Sequence, residues 1–167
     1  GRLTQVLSHR TYPDLGPALR AGADAFYSYD KLDRLTTVRL ESQDPNTLAI
    51  SSQYRSFAYD QLGRQTSATN PENGTTMNLQ YDAAGNLRKR QDAKGNLFTY
   101  SYDPASRLLE GWLDKAGVDP DTRILKNTYD QTGTTFGYGL GKLTTSISYD
   151  DAGQELLQEE TRFKGQK

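Results

Sequence analysis

Tyr81-Asp82-Ala83-Ala84-Gly85-Asn86-Leu87 decides how this chain folds, because every residue type in it has a position in one kind of hairpin. A Tyr ends a strand. The Asp side chain can bond the backbone two residues on and start a type I turn, and Gly three residues later suits the left-handed position that closes such a turn. Asn and Leu then begin the return strand.

The same signature recurs. Tyr-Asp stands at 29/30, 59/60, 81/82, 102/103, 129/130 and 149/150, where random order would yield about one such pair. Four residues after the Tyr come Gly63, Gly85, Gly133 and Gly153, replaced by Asp33 and Ser106 in the other two copies. Arg34, Arg64 and Arg107 follow that position in three copies and Asn86 in a fourth. Two residues before the Tyr stand Tyr27, Phe57, Leu79, Tyr100 and Ile147, with Asn127 as the exception. Residues two apart on a strand share a face, so Tyr27/Tyr29, Phe57/Tyr59 and Tyr100/Tyr102 line up rings along one side.

A second turn signal alternates with the first, at Pro71-Glu72-Asn73-Gly74 and Asp92-Ala93-Lys94-Gly95-Asn96. Each repeat therefore reads as a β-hairpin. The Tyr spacings are 30, 22, 21, 27 and 20, so the unit is near 21 residues. The two long gaps hold Asp44-Pro45-Asn46-Thr47 and Lys115-Ala116-Gly117-Val118-Asp119-Pro120-Asp121, read as insertions that lengthen a loop and leave the strands alone. Residues 1–26 form an irregular lead-in, with a short helical turn over Pro13-Asp14-Leu15-Gly16-Pro17-Ala18-Leu19-Arg20. Residues 27–156 hold the six hairpin repeats, and 157–167 a truncated next strand or tail.

Composition agrees. Leu, Ile, Val and Phe total 31 of 167 residues, close to the ~20% below which a core is hard to build. Yet Lys plus Arg number 20 against 21 Asp plus Glu, so charge repulsion does not hold the chain open, and 11 Tyr and 18 Thr favour strands. Return strands such as Leu87-Arg88-Lys89-Arg90-Gln91 have no clean apolar face. A sheet solvated on both sides tolerates that, its stability coming from backbone ladders and cross-strand pairs of about 0.2–1 kcal/mol each. The expected fold is all-β, tandem antiparallel hairpins in an extended, twisted ribbon.

Several function classes are excluded on composition. Zero Cys removes disulfides, thiol nucleophiles and Cys-based metal sites, and the lone His9 precludes a His cluster. No apolar run approaches the ~18 residues of a membrane helix, and residues 1–4 do not resemble a signal peptide. A formal charge of −1 argues against nucleic acid. The recurring carboxylates are turn residues rather than an acid and base pair, Asp92–Asn96 lacks the alternating ligands of a calcium loop, and Asn73-Gly74-Thr75 is a sequon that coincides with a turn. No cofactor is expected.

Tyr59-Asp60-Gln61-Leu62-Gly63-Arg64, Tyr81–Leu87 and Gly95-Asn96-Leu97-Phe98-Thr99-Tyr100-Ser101-Tyr102-Asp103 resemble the Rhs/YD-repeat family, which includes bacterial Rhs toxins, C subunits of insecticidal toxin complexes and, more distantly, teneurins. The resemblance covers residues 27–156. It implies an open arc of a YD-repeat shell, a non-enzymatic wall that encapsulates a C-terminal toxin polypeptide in a secreted or surface-delivered protein. The parent's remaining repeats would be its partners. The family's Asp-Pro-x-Gly self-cleavage motif is not matched by Asp44-Pro45, Asp103-Pro104 or Asp119-Pro120, so no protease site carries over. The structural motif residues are Tyr29, Asp30, Tyr59, Asp60, Gly63, Arg64, Tyr81, Asp82, Gly85, Tyr100, Tyr102, Asp103, Arg107, Tyr129, Asp130, Gly133, Tyr149, Asp150 and Gly153, the arginines bracing adjacent turns. The alternative is a surface carbohydrate-binding or adhesive module, with Tyr rows and Trp112 stacking on cell-surface glycans.

Overall fold

The computed structural model describes residues 3–7, 23–44, 46–114, 122–150 and 152–163. His9, residues 13–20 where a helical turn is expected, residues 115–121 and residues 164–167 lie outside them. The described residues are all-β, with no helix; antiparallel strands follow one another in sequence order. The chain divides into two units, Gly1–Met77 and Asn78–Lys167.

In the first unit, β1 (Leu3–Leu7) pairs with β2 (Ala23–Tyr29), β2 with β3 (Leu35–Gln43), β3 with β4 (Ile50–Tyr59), and β4 with β5 (Gln65–Asn70), which pairs with the start of β6 (Gly74–Tyr81). The 30-residue gap changes the strands after all. β3 has 9 residues and β4 has 10, against 6 in β5, and the connecting turn is short, with Asp44 N donating to Ala49 O. Alternating Thr, Val, Arg, Ser and Tyr extend a ladder more readily than they form a loop, whereas Pro71 stops β5 early by removing a donor.

In the second unit, β7 (Leu87–Gln91) pairs with β8 (Leu97–Tyr102), β8 with β9 (Leu108–Asp114), β9 with β10 (Thr122–Tyr129), β10 with β13 (Leu143–Tyr149) and β13 with β14 (Glu155–Glu160). Between β10 and β13 a small excursion forms the two-residue strands β11 (Thr132–Gly133) and β12 (Gly137–Tyr138). Phe163 returns beside β12: Tyr138 N donates to Phe163 O and Phe163 N to Phe136 O.

That excursion relocates the sixth Tyr-Asp pair. The other turns span five residues, but the chain from Asp130 to Lys142 spans a closed turn of its own, with Asp130 N donating to Lys142 O. The 20-residue spacing from Tyr129 to Tyr149 thus contributes one strand, the seven-residue β13, to the main ladder instead of two. Asp150 consequently sits at the end of the sheet that holds Asp92, opposite to the end of Asp82, Asp103 and Asp130.

Burial is sparse. Leu113 is the one buried apolar side chain among the described residues, alongside Asp24, Thr144 and Thr145. Cross-strand arginines cover rings instead: Arg39 lies opposite Phe26 with 4.2 Å to the ring centroid, Arg90 opposite Phe98 at 4.9 Å and Arg123 opposite Trp112 at 4.7 Å. Such contacts contribute about 0.5–1 kcal/mol each at exposed sites.

The closing residues of the turns adopt the left-handed conformation: Gly63, Gly85, Gly95 and Gly153, but also Asp33 at φ 56° and Ser106 at φ 61°. Asp33 is exposed. Asp33→Gly is expected to stabilise the chain by about 0.5 kcal/mol, since relief of left-handed strain exceeds the added chain entropy. Urea unfolding midpoints measure this; a lower midpoint in the variant would refute it.

Candidate functional site

In each unit the site is a set of tight turns. Asp30 Oδ1 accepts the N–H groups of Leu32 (2.9 Å) and Arg34 (3.0 Å) while Oδ2 accepts Arg34 Nε at 2.7 Å. Asp60 repeats this with Leu62 and Arg64, and Asp103 with Ala105 and Arg107. Where Asn replaces Arg, its amide takes over: Asn86 Nδ2 donates to Asp82 Oδ2 at 2.9 Å. Asp150 receives Ala152 N and Gln154 N. The carboxylate thus saturates the donors that a tight turn leaves free.

Within each unit, consecutive Tyr-Asp turns also hold one another. Arg34 Nη1 donates to Asp60 O at 2.8 Å, its guanidinium 5.0 Å from the Tyr59 ring centroid, and Tyr59 Oη donates back to Leu35 O at 2.9 Å. Asn86 Nδ2 reaches Ser106 Oγ at 3.0 Å, and Tyr102 Oη donates to Leu87 O at 2.9 Å. Arg107 is the fullest case. It bonds Asp130 through Nη1 (3.0 Å) and Nη2 (2.7 Å), stacks 4.5 Å from Tyr129, and Tyr129 Oη donates to Leu108 O at 3.1 Å. The residue after the turn reaches forward, and the following Tyr reaches back, giving a reciprocal clasp between consecutive hairpins.

A one-residue register shift just before Tyr29, Tyr59, Tyr102, Tyr129 and Tyr149 aims those rings. Such a bulge re-aims a side chain at a strand end. In two copies the bulge residue is a Thr whose hydroxyl bonds the carbonyl before the Tyr, Thr36 to Ser28 O (3.1 Å) and Thr144 to Thr128 O (3.0 Å). Tyr100 lies opposite Gly111, and Tyr149 under Arg123, 5.9 Å from its guanidinium. Tyr81 Oη accepts Asn78 Nδ2.

The fifth copy departs from its sequence pattern. Gly133 pairs with Gly137 in the excursion and does not close the Asp130 turn. That role passes to Gly139-Leu140-Gly141-Lys142: Lys142 N donates to Gly139 O at 3.0 Å and Gly141 N to Asp130 Oδ1 at 2.6 Å. Conversely, sequence reading left Asp92 outside the motif, although Asp92-Ala93-Lys94-Gly95-Asn96-Leu97 differs from Asp82–Leu87 at one residue. Its geometry is the same, with Asn96 Nδ2 on Asp92 Oδ2 at 2.9 Å and Gly95 N on Asp92 O. Comparing the two kinds of turn with each other would have found it.

These bonds hold the turn carboxyls below the ordinary carboxylate range: Asp30 and Asp103 through the backbone N–H of Arg34 and Arg107, Asp82 and Asp92 through the amides of Asn86 and Asn96, and Asp130 through Arg107. A depressed carboxyl stabilises the fold above its unfolded pKa and ceases to as pH falls through the folded value. Stability should therefore be level near neutrality and decline below about pH 4, the unfolded Asp value. Asp103→Asn should flatten part of that decline. Thermal melts between pH 7 and pH 2 test this, and an unchanged profile in the variant contradicts it.

Among the described residues no group of three His, Cys, Asp or Glu could hold a metal, and no helix is long and apolar enough to cross a membrane. The carboxylates are occupied as acceptors. What these side chains do chemically is tie neighbouring hairpins together within each unit. Arg107→Lys keeps the charge but not the fork that spans Asp103 and Asp130, so amide exchange around Gly141 should accelerate severalfold; unchanged exchange would remove the clasp from the account.

Residues 81–110 match the family model described as RHS Repeat. This stretch is similar to an RHS repeat. It contains one complete clasp, with Asn86 on Ser106 and Tyr102 on Leu87. No curated protein matches the chain. Among solved structures, the chain is similar to the crystal structure of TcdB2-TccC3, at 13% identity, covering 93% of this chain and 10% of that one with a TM-score of 0.47. A Photorhabdus luminescens Tc holotoxin pore with a mutated TccC3 aligns at 14% identity over 91% of this chain and 10% of that one, TM-score 0.45. The chain spans about a tenth of the length of these structures.

Proposed function

We propose that this RHS-repeat segment is a non-enzymatic stretch of β wall within a larger secreted protein, and that the complete wall encloses and protects a C-terminal toxin polypeptide. The observation that carries the reading is the clasp: side chains that elsewhere would serve a ligand bind the preceding or following hairpin, so each unit is stabilised without a thick core. A polar, charge-balanced sheet can border a passenger without adhering to it, and strands held in a backbone ladder enter a protease cleft less readily than free chain.

The glycan reading draws less support, because the Tyr59, Tyr102 and Tyr129 hydroxyls are committed to backbone carbonyls and two of these rings lie beneath arginines. The test uses the full parent protein. Its passenger should survive protease concentrations that degrade the free passenger, until the wall is opened by acid or denaturant. Equal digestion rates would overturn containment.

A further inference from the structure

One stretch of sheet edge is left open inside the first unit. Because β5 ends at Asn70, the ladder between β4 and β5 begins only at Ser56, and no described residue pairs with Ile50–Tyr54 on that side. β3 covers the other side as far as Ile50. All five residues are exposed, with Ile50 at 66% and Tyr54 at 54%.

Open edges in soluble proteins normally carry Lys, Glu, Pro or a bulge that discourages pairing. The β14 edge does, with Glu155, Glu159 and Glu160. Ile50-Ser51-Ser52-Gln53-Tyr54 has no charge, no Pro and no register shift against β3.

We propose that this edge is a homodimer contact, in which β4 of one copy pairs antiparallel with β4 of a second copy about a two-fold axis at Ser52. Symmetry sets the register. Opposed pairs in an antiparallel ladder alternate between hydrogen-bonded and non-hydrogen-bonded, so a two-fold axis normal to the sheet requires a residue to face its own copy. Centring on Ser52 alone uses the whole window. It places Ile50 against the second copy's Tyr54, Ser51 against Gln53 and Ser52 against Ser52: an aliphatic–aromatic pair at each end and polar pairs between, with no like charges opposed. A β14 self-pair centred on Leu157 would oppose Glu155 to Glu159.

The contact is short, well below the ~1,000 Å² of a stable interface, so a weak dimer is expected, with Kd of about 0.1–1 mM. Sedimentation equilibrium of the full chain over about 10 µM to 1 mM should show monomer and dimer only. Tyr54→Lys and Ile50→Lys should each raise Kd at least about tenfold by placing a charge on the edge.

Because the chain has no Cys, cross-linking reads the register directly. Under oxidation Ser52→Cys should form a disulfide-linked dimer, while Ser51→Cys and Gln53→Cys should not, their like copies lying about 7–8 Å apart on the diagonal. A monomer throughout the range, a dimer indifferent to both lysines, open-ended oligomers, or equal cross-linking at all three positions would overturn the proposal. The cross-linking decides even if a lysine variant fails to fold.

Discussion

Gly139→Ala is expected to destabilise the chain by about 2–3 kcal/mol, among the largest effects of any single methyl group here. A Cβ at this position would fall inside the contact shell of the Gln131 carbonyl oxygen and 2.6 Å from Thr144 Cγ2. Neither neighbour can yield cheaply. Thr144 is 1% exposed. Gln131 Oε1 lies 2.7 Å from both the Thr144 and Thr145 hydroxyls, so displacing Gln131 also releases two buried threonines. Thermal denaturation should register a fall of about 5–10 °C for a chain of this size. Gly141→Ala supplies the comparison: nothing lies within 4 Å of its Cβ, and only its φ of +73° opposes the substitution, at about 1 kcal/mol. If Gly139→Ala melted within about 0.5 kcal/mol of the parent, the excursion would not be a packed part of the second unit.

Tyr102 carries the second large effect. Its hydroxyl donates to Leu87 O across the sheet, and burial pushes its pKa up. Tyr102→Phe removes one hydrogen bond and should cost about 1 kcal/mol, whereas Tyr102→Ala removes the ring as well and should cost about 3 kcal/mol. Calorimetry separates the two substitutions. The result also discriminates between functions: a wall residue loses melting temperature on truncation, while a glycan-stacking Tyr would leave the melt unchanged and abolish binding to immobilised sugars.

The turns were legible in the sequence because their chemistry is local. Asp103 and Arg107 are four residues apart, and a carboxylate two residues ahead of a free N–H finds it whatever the rest of the chain does. The left-handed positions were equally legible at Gly63, Gly85 and Gly153, and Asp33 and Ser106 show how far the pattern bends. The fifth copy misled for the same reason: Gly133 has the correct spacing from Tyr129, but spacing alone does not reveal that a small ladder between Thr132–Gly133 and Gly137–Tyr138 competes for it.

Taken alone, then, the sequence determined the strand and turn alphabet, the all-β class and the Tyr-Asp repeat, since all of these rest on contacts within about five residues. Only the tertiary structure decided which hairpin each arginine reaches, that β3 and β4 lengthen where a loop was expected, and that Asp150 turns at the opposite end from Asp130. Arg34 meets Asp60 across 26 residues and Arg107 meets Asp130 across 23. Whether such pairs meet depends on the lengths of the strands between them, and a strand's length is set by how far its neighbour's ladder runs.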